Sequence, residues 1–197
     1  MRAHADFLIE HASAVATCAG STPRRGGAQA DIGLVRNAVI ASRDGVIVYV
    51  GNNADSVELA SNAVRIDASG CVVVPGFVDP HTHIVYAGDR RHELQRRLAG
   101  ATYAEIAAEG GGILSTVAAT RAASEEELLA SGRGRLDEML ACGTTTCEAK
   151  SGYGLTTESE LKQLRVMRAL ASSSCSDAAR VAATVLRMPP PSAAISA

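Results

Sequence analysis

Tryptophan is absent from this chain of 197 residues, and two phenylalanines and four tyrosines hold the aromatic share to 3%. So thin a supply excludes a base-stacking platform for single-stranded nucleic acid and the aromatic belts of a membrane protein. No run approaches the roughly 20 apolar residues that cross a bilayer, and the first apolar stretch is interrupted by Asp6 and Glu10. Charge of one sign is missing too: 19 Lys and Arg against 21 Asp and Glu leave a net charge of -2. That balance removes the electrostatic case for nucleic acid or an anionic membrane as partner and leaves a small-molecule substrate as the default. The five cysteines, Cys18, Cys71, Cys142, Cys147 and Cys175, contain no CxxC pair. Free thiols in a reducing compartment, and so a cytoplasmic protein, are expected. Also lacking are a Gly-x-Ser-x-Gly elbow and the GK[ST] ending that would turn Gly110-Gly111-Gly112 into a phosphate loop. That triple is read as a hinge.

What is present divides near residue 70. Up to there, Phe7-Leu8-Ile9, Ala38-Val39-Ile40 and Val46-Ile47-Val48-Tyr49-Val50 are short apolar runs between turn residues, and Arg43-Asp44-Gly45 predicts a hairpin. From Cys71 onward, strands alternate with amphipathic segments, the pattern of a parallel sheet flanked by helices. A buried-type strand is predicted over 72–79, a short helix over 102–109, a long helix from Ser124 with Glu127 closing a capping box, and a strand over 144–150. Gly132 and Gly134 weaken the long helix, and Gly143 supplies its left-handed end. Thr157 with Glu160 predicts a second capping box, opening a helix that breaks at Ser172-Ser173-Ser174; a further strand is predicted over 180–186. The expected fold is α/β: a β-rich, sandwich-like domain over 1–70, then over 71–186 the first βα units of an incomplete (β/α)8 barrel or of an open doubly wound sheet.

The strongest chemical signal is Pro75-Gly76-Phe77-Val78-Asp79-Pro80-His81-Thr82-His83. Alternate residues of a strand share a face, so His81 and His83 stand about 6.5 Å apart along the backbone, within reach of one metal ion, at the strand end where barrels keep their active sites. The plainer reading is a pair of hydrogen-bonded histidines. A catalytic ion needs a third protein ligand and an open position for water, and His4, His11 and His92 lie at no strand end of the second part. Glu148 and Lys150 share a strand face with Thr146, where inward charges have to pair or meet a ligand.

Beyond these local readings, residues 74–170 resemble the imidazolonepropionase family of the amidohydrolase superfamily. The likeness runs through PGFVDPHTHIVYAGDRRHEL, LAGATYAEIAAEGGGILSTVAATRAASEEEL, GTTTCEAKSGYGL and ESELKQLRVMRAL. The histidine signature is common to the superfamily, whereas AGDR, the GGGI segment and KSGYGL narrow it to this family; the opening strands extend the likeness over nearly all of 1–186. The resemblance implies hydrolysis of 4-imidazolone-5-propanoate to N-formimidoyl-L-glutamate in histidine breakdown, by water activated on one zinc or iron ion. It makes His81 and His83 metal ligands, Arg90 a substrate contact, and Tyr153 a contact to substrate and product, and it leaves a homodimer open. A planar guanidinium suits the propanoate carboxylate, which it can hold through two parallel hydrogen bonds; a solvated arginine beside Arg91 is the plain alternative. The glycines flanking Tyr153 allow a sharp turn that brings a phenol over the site; an ordinary loop tyrosine is the alternative there. Lys150 as a carbamylated bridge between two metals is set aside because the resemblance is to a one-metal family.

After Leu186 the resemblance implies a Gly-Ala-His segment, whereas this chain reads Arg187-Met188-Pro189-Pro190-Pro191 and runs to Ala197. Residues 187–197 are therefore expected to be an aberrant, disordered tail, and the chain to lack the third histidine ligand, the proton-transferring aspartate and turnover of its own.

Overall fold

Alternating apolar residues and a run of turn formers organise the first part of the chain. The computed structural model describes residues 2–173, and they fall into two compact units divided between Gly76 and Phe77. In the first unit, β1 (Ala3–Ala16) is the central strand. It pairs antiparallel with β2 (Leu34–Arg43), which continues antiparallel into β3 (Val46–Gly51). Asp44 and Gly45 both take positive φ, 49° and 80°, as a tight two-residue hairpin turn requires. Along its other edge β1 pairs parallel with β4 (Val57–Asp67) and then with β5 (Val72–Val73).

Because side chains alternate across a strand, β1 supplies both faces of this sheet. Phe7, Ile9, Ala12 and Val15 pack with Ala38, Ile40 and Ile47 on one face. Ala5 and Leu8 pack with Val39 and Ala41 on the other. A bulge between Ile9 and Ala12 carries His11 at a φ of 61°.

The apolar run predicted as one strand over 72–79 is two. Val72 and Val73 join the first sheet, and Pro75-Gly76 breaks the ladder, since proline has no N–H to give. The chain then enters β6 (Phe77–Thr82), which pairs parallel with β7 (Thr144–Ala149). Their register slips between Phe77 and Val78 and again between Asp79 and Thr82, across Pro80.

Between these strands come α1 (Arg91–Leu98), α2 (Tyr103–Ala108), α3 (Ile113–Ala122) and α4 (Glu125–Ala141), and β7 is followed by α5 (Thr157–Ser173). Both α2 and α4 open with reciprocal capping boxes, Thr102 with Glu105 and Ser124 with Glu127. Gly143 ends the turn after α4 at a φ of 90°. Ile84, Val85, Leu128, Val166 and Leu170 form the core of the second unit. The described residues thus show a mixed α/β chain whose second sheet has two parallel strands; no helix among them is long and apolar enough to cross a membrane.

Three local expectations are corrected. The Gly110-Gly111-Gly112 segment is a packed turn rather than a hinge: the buried Glu93 carboxylate accepts from Gly112 N–H at 2.7 Å, and a Cβ at Gly111 would lie 2.7 Å from Ile106 Cγ2. Helix α5 continues to Ser173 instead of breaking at Ser172. Its cap is Thr156, whose Oγ1 accepts from Ser159 N–H at 3.3 Å, so a one-way cap one residue earlier replaces the expected box and Glu160 is free for another use. The strand expected over 180–186, Cys175 and the tail over 187–197 lie outside the described residues.

The two glycines of α4 now separate. A Cβ at Gly132 would stand 2.8 Å from Leu170 Cδ1, so this glycine lets α5 approach, whereas nothing lies within 4 Å of one at Gly134. Gly134→Ala is expected to stabilise the chain by roughly 0.5–1 kcal/mol through helix propensity alone. Gly132→Ala is expected to lose about 1–3 kcal/mol by overpacking, less that same gain. Urea unfolding of both variants checks the opposite signs.

Candidate active site

Two parallel strands present their C-terminal ends side by side, and the hydrogen bonds there are short. Thr82 Oγ1 donates to Glu148 O at 2.6 Å, and Lys150 N–H donates to Thr82 O at 2.9 Å. Asp79 Oδ1 accepts from His81 N–H at 3.2 Å, bracing the slipped register before the histidines. The His81 and His83 rings then stand 5.5 Å apart between centroids, His81 exposed and His83 half-buried. His83 Nδ1 is buried and has no hydrogen-bond partner among the described residues. Such an orphaned nitrogen costs about 1–3 kcal/mol unless a ligand or donor meets it.

The segment after β7 closes over the histidines. Gly152, at a φ of 149°, approaches so closely that a Cβ there would lie 3.0 Å from His83 Cε1. Tyr153 sets its ring 5.6 Å from that of His83, edge to face, and Tyr86 stands 5.3 Å from Tyr153 on the far side. Four rings, from His81 through His83 and Tyr153 to Tyr86, thus form a continuous row. Gly154 is required by its other neighbour, since a Cβ there would stand 2.7 Å from Glu160 N in the first turn of α5.

Sequence reasoning had overlooked Tyr86 and Arg135. Arg135 Nη1 reaches from α4 to donate to Ile84 O at 2.8 Å and Tyr86 O at 2.9 Å, and its guanidinium lies 3.6 Å from the centre of the Tyr86 ring. It thereby ties down the segment that leaves the histidine strand. The one available signal was an arginine in the helix stripe that otherwise carries Leu128, Leu136 and Met139.

Arg90 precedes α1 and is exposed. Its neighbour Arg91 is occupied: Arg91 Nη2 donates to Asp89 Oδ2 at 2.8 Å, and this pairing holds the Asp89 carboxyl down at about 2. The Arg90 guanidinium makes no hydrogen bond, ion pair or cation–π contact among the described residues. His81, His83 and Tyr153 are therefore brought together by ring contacts. Lys150 and Glu148 pair at 3.5 Å. On β7, burial pushes the Cys147 thiol up, with the Asp79 charge adding to it, so it is a poor nucleophile.

Two imidazoles are suitable donors for zinc or iron, and the orphaned nitrogen of His83 fits such a group. They form an incomplete set: among the described residues no three His, Cys, Asp or Glu side chains gather closely enough to hold an ion.

Fold and site together define an α/β protein with two histidines and two tyrosines gathered about the C-terminal ends of parallel strands. No protein-family model matches the chain. Curated sequences are more specific. The chain is 53% identical over 169 residues to the imidazolonepropionase of Symbiobacterium thermophilum, covering 84% of this chain and 40% of that one. It is 51% identical over 168 residues to that of Brevibacillus brevis, covering 82% and 40%. Over the matched stretch the chain is about half identical to these imidazolonepropionases, and it spans about 40% of their length. Among solved structures it is similar in fold to an uncharacterized protein, with a TM-score of 0.50 and 17% identity over 86% of this chain and 30% of the other. A zinc-bound adenosine deaminase from Xanthomonas campestris has a TM-score of 0.47 with 20% identity over 86% of this chain and 33% of the other.

Glu160 gives the site a pH dependence. Burial raises its pKa, but the Ser151 hydroxyl and the N–H groups of Leu155, Gly154 and Gly152 outweigh burial and hold the carboxyl below its ordinary 4.5. A carboxyl whose folded pKa is depressed stabilises fully above the unfolded pKa and loses that contribution as pH falls through the folded one. Hydrogen-exchange protection of the Gly154 and Leu155 amides is expected to hold above the ordinary carboxyl value of 4.5 and to be lost as pH falls through the lowered pKa of Glu160. In Glu160→Gln the protection should be lower and flat across that range.

Proposed function

We propose that this chain carries part of the active site of a metal-dependent hydrolase that opens the cyclic amide of 4-imidazolone-5-propanoate to N-formimidoyl-L-glutamate in histidine breakdown. The observation that carries the reading is the His81–His83 pair at the end of β6, with one buried nitrogen unpartnered, in a chain about half identical to imidazolonepropionases. Its fold is read as a small β-rich domain followed by the first βα units of a (β/α)8 barrel, whose active-site loops follow the C-terminal strand ends. The free thiols of Cys18, Cys71, Cys142 and Cys147 fit a reducing, cytoplasmic setting.

His81 and His83 hold two positions on one zinc or iron ion, and the remaining ligands come from groups other than the described residues. When bound, such an ion supplies an activated water and stabilises negative charge on the carbonyl oxygen. Tyr153 covers His83 and offers a ring face and one hydroxyl to the ring-shaped substrate. Arg90, left unpaired while Arg91 is held by Asp89, is available to grip the propanoate carboxylate through two parallel hydrogen bonds.

Calorimetric titration of the chain with zinc tests the metal reading: binding is expected in the wild type and lost in both His81→Ala and His83→Ala. In the metal-loaded protein, Arg90→Lys should weaken capture of imidazolonepropanoate by about 1.5–3 kcal/mol, the value of a charged hydrogen bond, and leave zinc binding unchanged. Zinc binding that survives both histidine substitutions, or tighter capture of dihydroorotate than of imidazolonepropanoate, would refute the proposal.

A further inference from the structure

Tyr153 is a loop residue, yet its ring sits at a defined place against His83, and the fold must supply what fixes it. β7 ends at Ala149 and α5 begins at Thr157, so the intervening backbone has no strand or helix ladder of its own. Two side chains of α5 replace that ladder. Glu160 Oε1 accepts from Gly154 N–H at 2.8 Å and from Leu155 N–H at 2.7 Å, and the Ser151 hydroxyl and Gly152 N–H help to lower its pKa. Gln163 Oε1 accepts from Tyr153 N–H at 3.4 Å. Consecutive backbone donors from 153 to 155 are thus taken by two side chains one helical turn apart. Gln163 is fully buried and is oriented by its own amide, which donates to Ser159 O at 3.2 Å and to Glu160 Oε2 at 3.4 Å.

The conformation being held is not one the chain adopts freely. Leu155 takes a φ of 56°, in the left-handed region that a bulky residue enters only at a cost, and its N–H makes the shortest of these bonds. Arg121 Nε donates to Gly154 O at 2.6 Å, so the carbonyl side of the same turn is fixed as well. Charge-assisted hydrogen bonds to a carboxylate are roughly twice as strong as neutral ones, which makes Glu160 the dominant anchor. A simple helix cap leaves this unexplained, because Thr156 already caps α5.

We propose that Glu160 and Gln163 are positioning residues that hold Tyr153 in contact with His83, acting on the site through the 151–155 backbone and touching neither metal nor substrate. This deepens the proposed function and rests on it for the meaning of the Tyr153–His83 contact. The contact itself is measurable without metal or substrate, so failure of the zinc titration and failure of this inference are separate results.

The experiment uses the whole chain with 13C-labelled histidine. Its five histidines give separable ring resonances, and that of His83 is assigned by its loss in His83→Gln. Tyr153→Leu removes the neighbouring ring and sets the displacement that marks loss of the contact. Glu160→Gln is expected to move the His83 resonance in the same direction as Tyr153→Leu and to leave His4 and His11 in place. The double variant should move it no further than Tyr153→Leu alone. Gln163→Leu, close to isosteric, is expected to give a smaller shift of the same sign and supplies the test if Glu160→Gln does not fold. Variants that lower the melting temperature yet leave the His83 resonance where it was would overturn the proposal. So would shifts from Glu160→Gln and Tyr153→Leu that simply add.

Discussion

The second unit depends on how two parallel strands end. Thr82, between the two histidines, bonds with both its hydroxyl and its carbonyl to the end of β7. Because those bonds fall at the last residues of each strand, the segments that leave them start from a shared, fixed line. His83 leaves from one and Gly152-Tyr153 from the other, and both rings arrive at the same place. Without that clamp, the strand ends and the loops they launch would be free to separate.

Around the clamp, the helices act as struts. Arg135 on α4 ties down the backbone after the histidine strand, and Glu160 and Gln163 on α5 hold the backbone after β7. Gly132 lets α4 and α5 approach each other, so the two struts belong to one packed layer. The polar site is therefore supported by side chains from helices whose apolar faces form the core at Ile84, Val85, Leu128, Val166 and Leu170.

Much of this was legible in the sequence where the governing rule is local. The histidine pair follows from the two-residue period of a strand, the hairpin at Asp44-Gly45 from its need for positive φ, and the box at Ser124 from i, i+3 spacing. What escaped depends on partners distant in the chain. Arg135 meets carbonyls 49 and 51 residues away, and no local pattern encodes that. Glu160 can satisfy either a helix cap or a loop, and only the packing of Gly154 against α5 decides. The run over 72–79 reads as one strand because its apolar residues are contiguous; Pro75-Gly76 was the signal for the break, and pairing with β1 decided where the first piece went.

The central claim is that the end of β6 presents two imidazoles to a single ion. X-ray absorption spectroscopy on the zinc-loaded chain measures this directly. The account predicts a first shell containing two imidazole nitrogens at about 2.0–2.1 Å, with the outer-shell scattering that imidazole rings give. A shell of oxygens or sulfurs without imidazole scattering, or the same spectrum after His81 and His83 are both replaced by alanine, would contradict it.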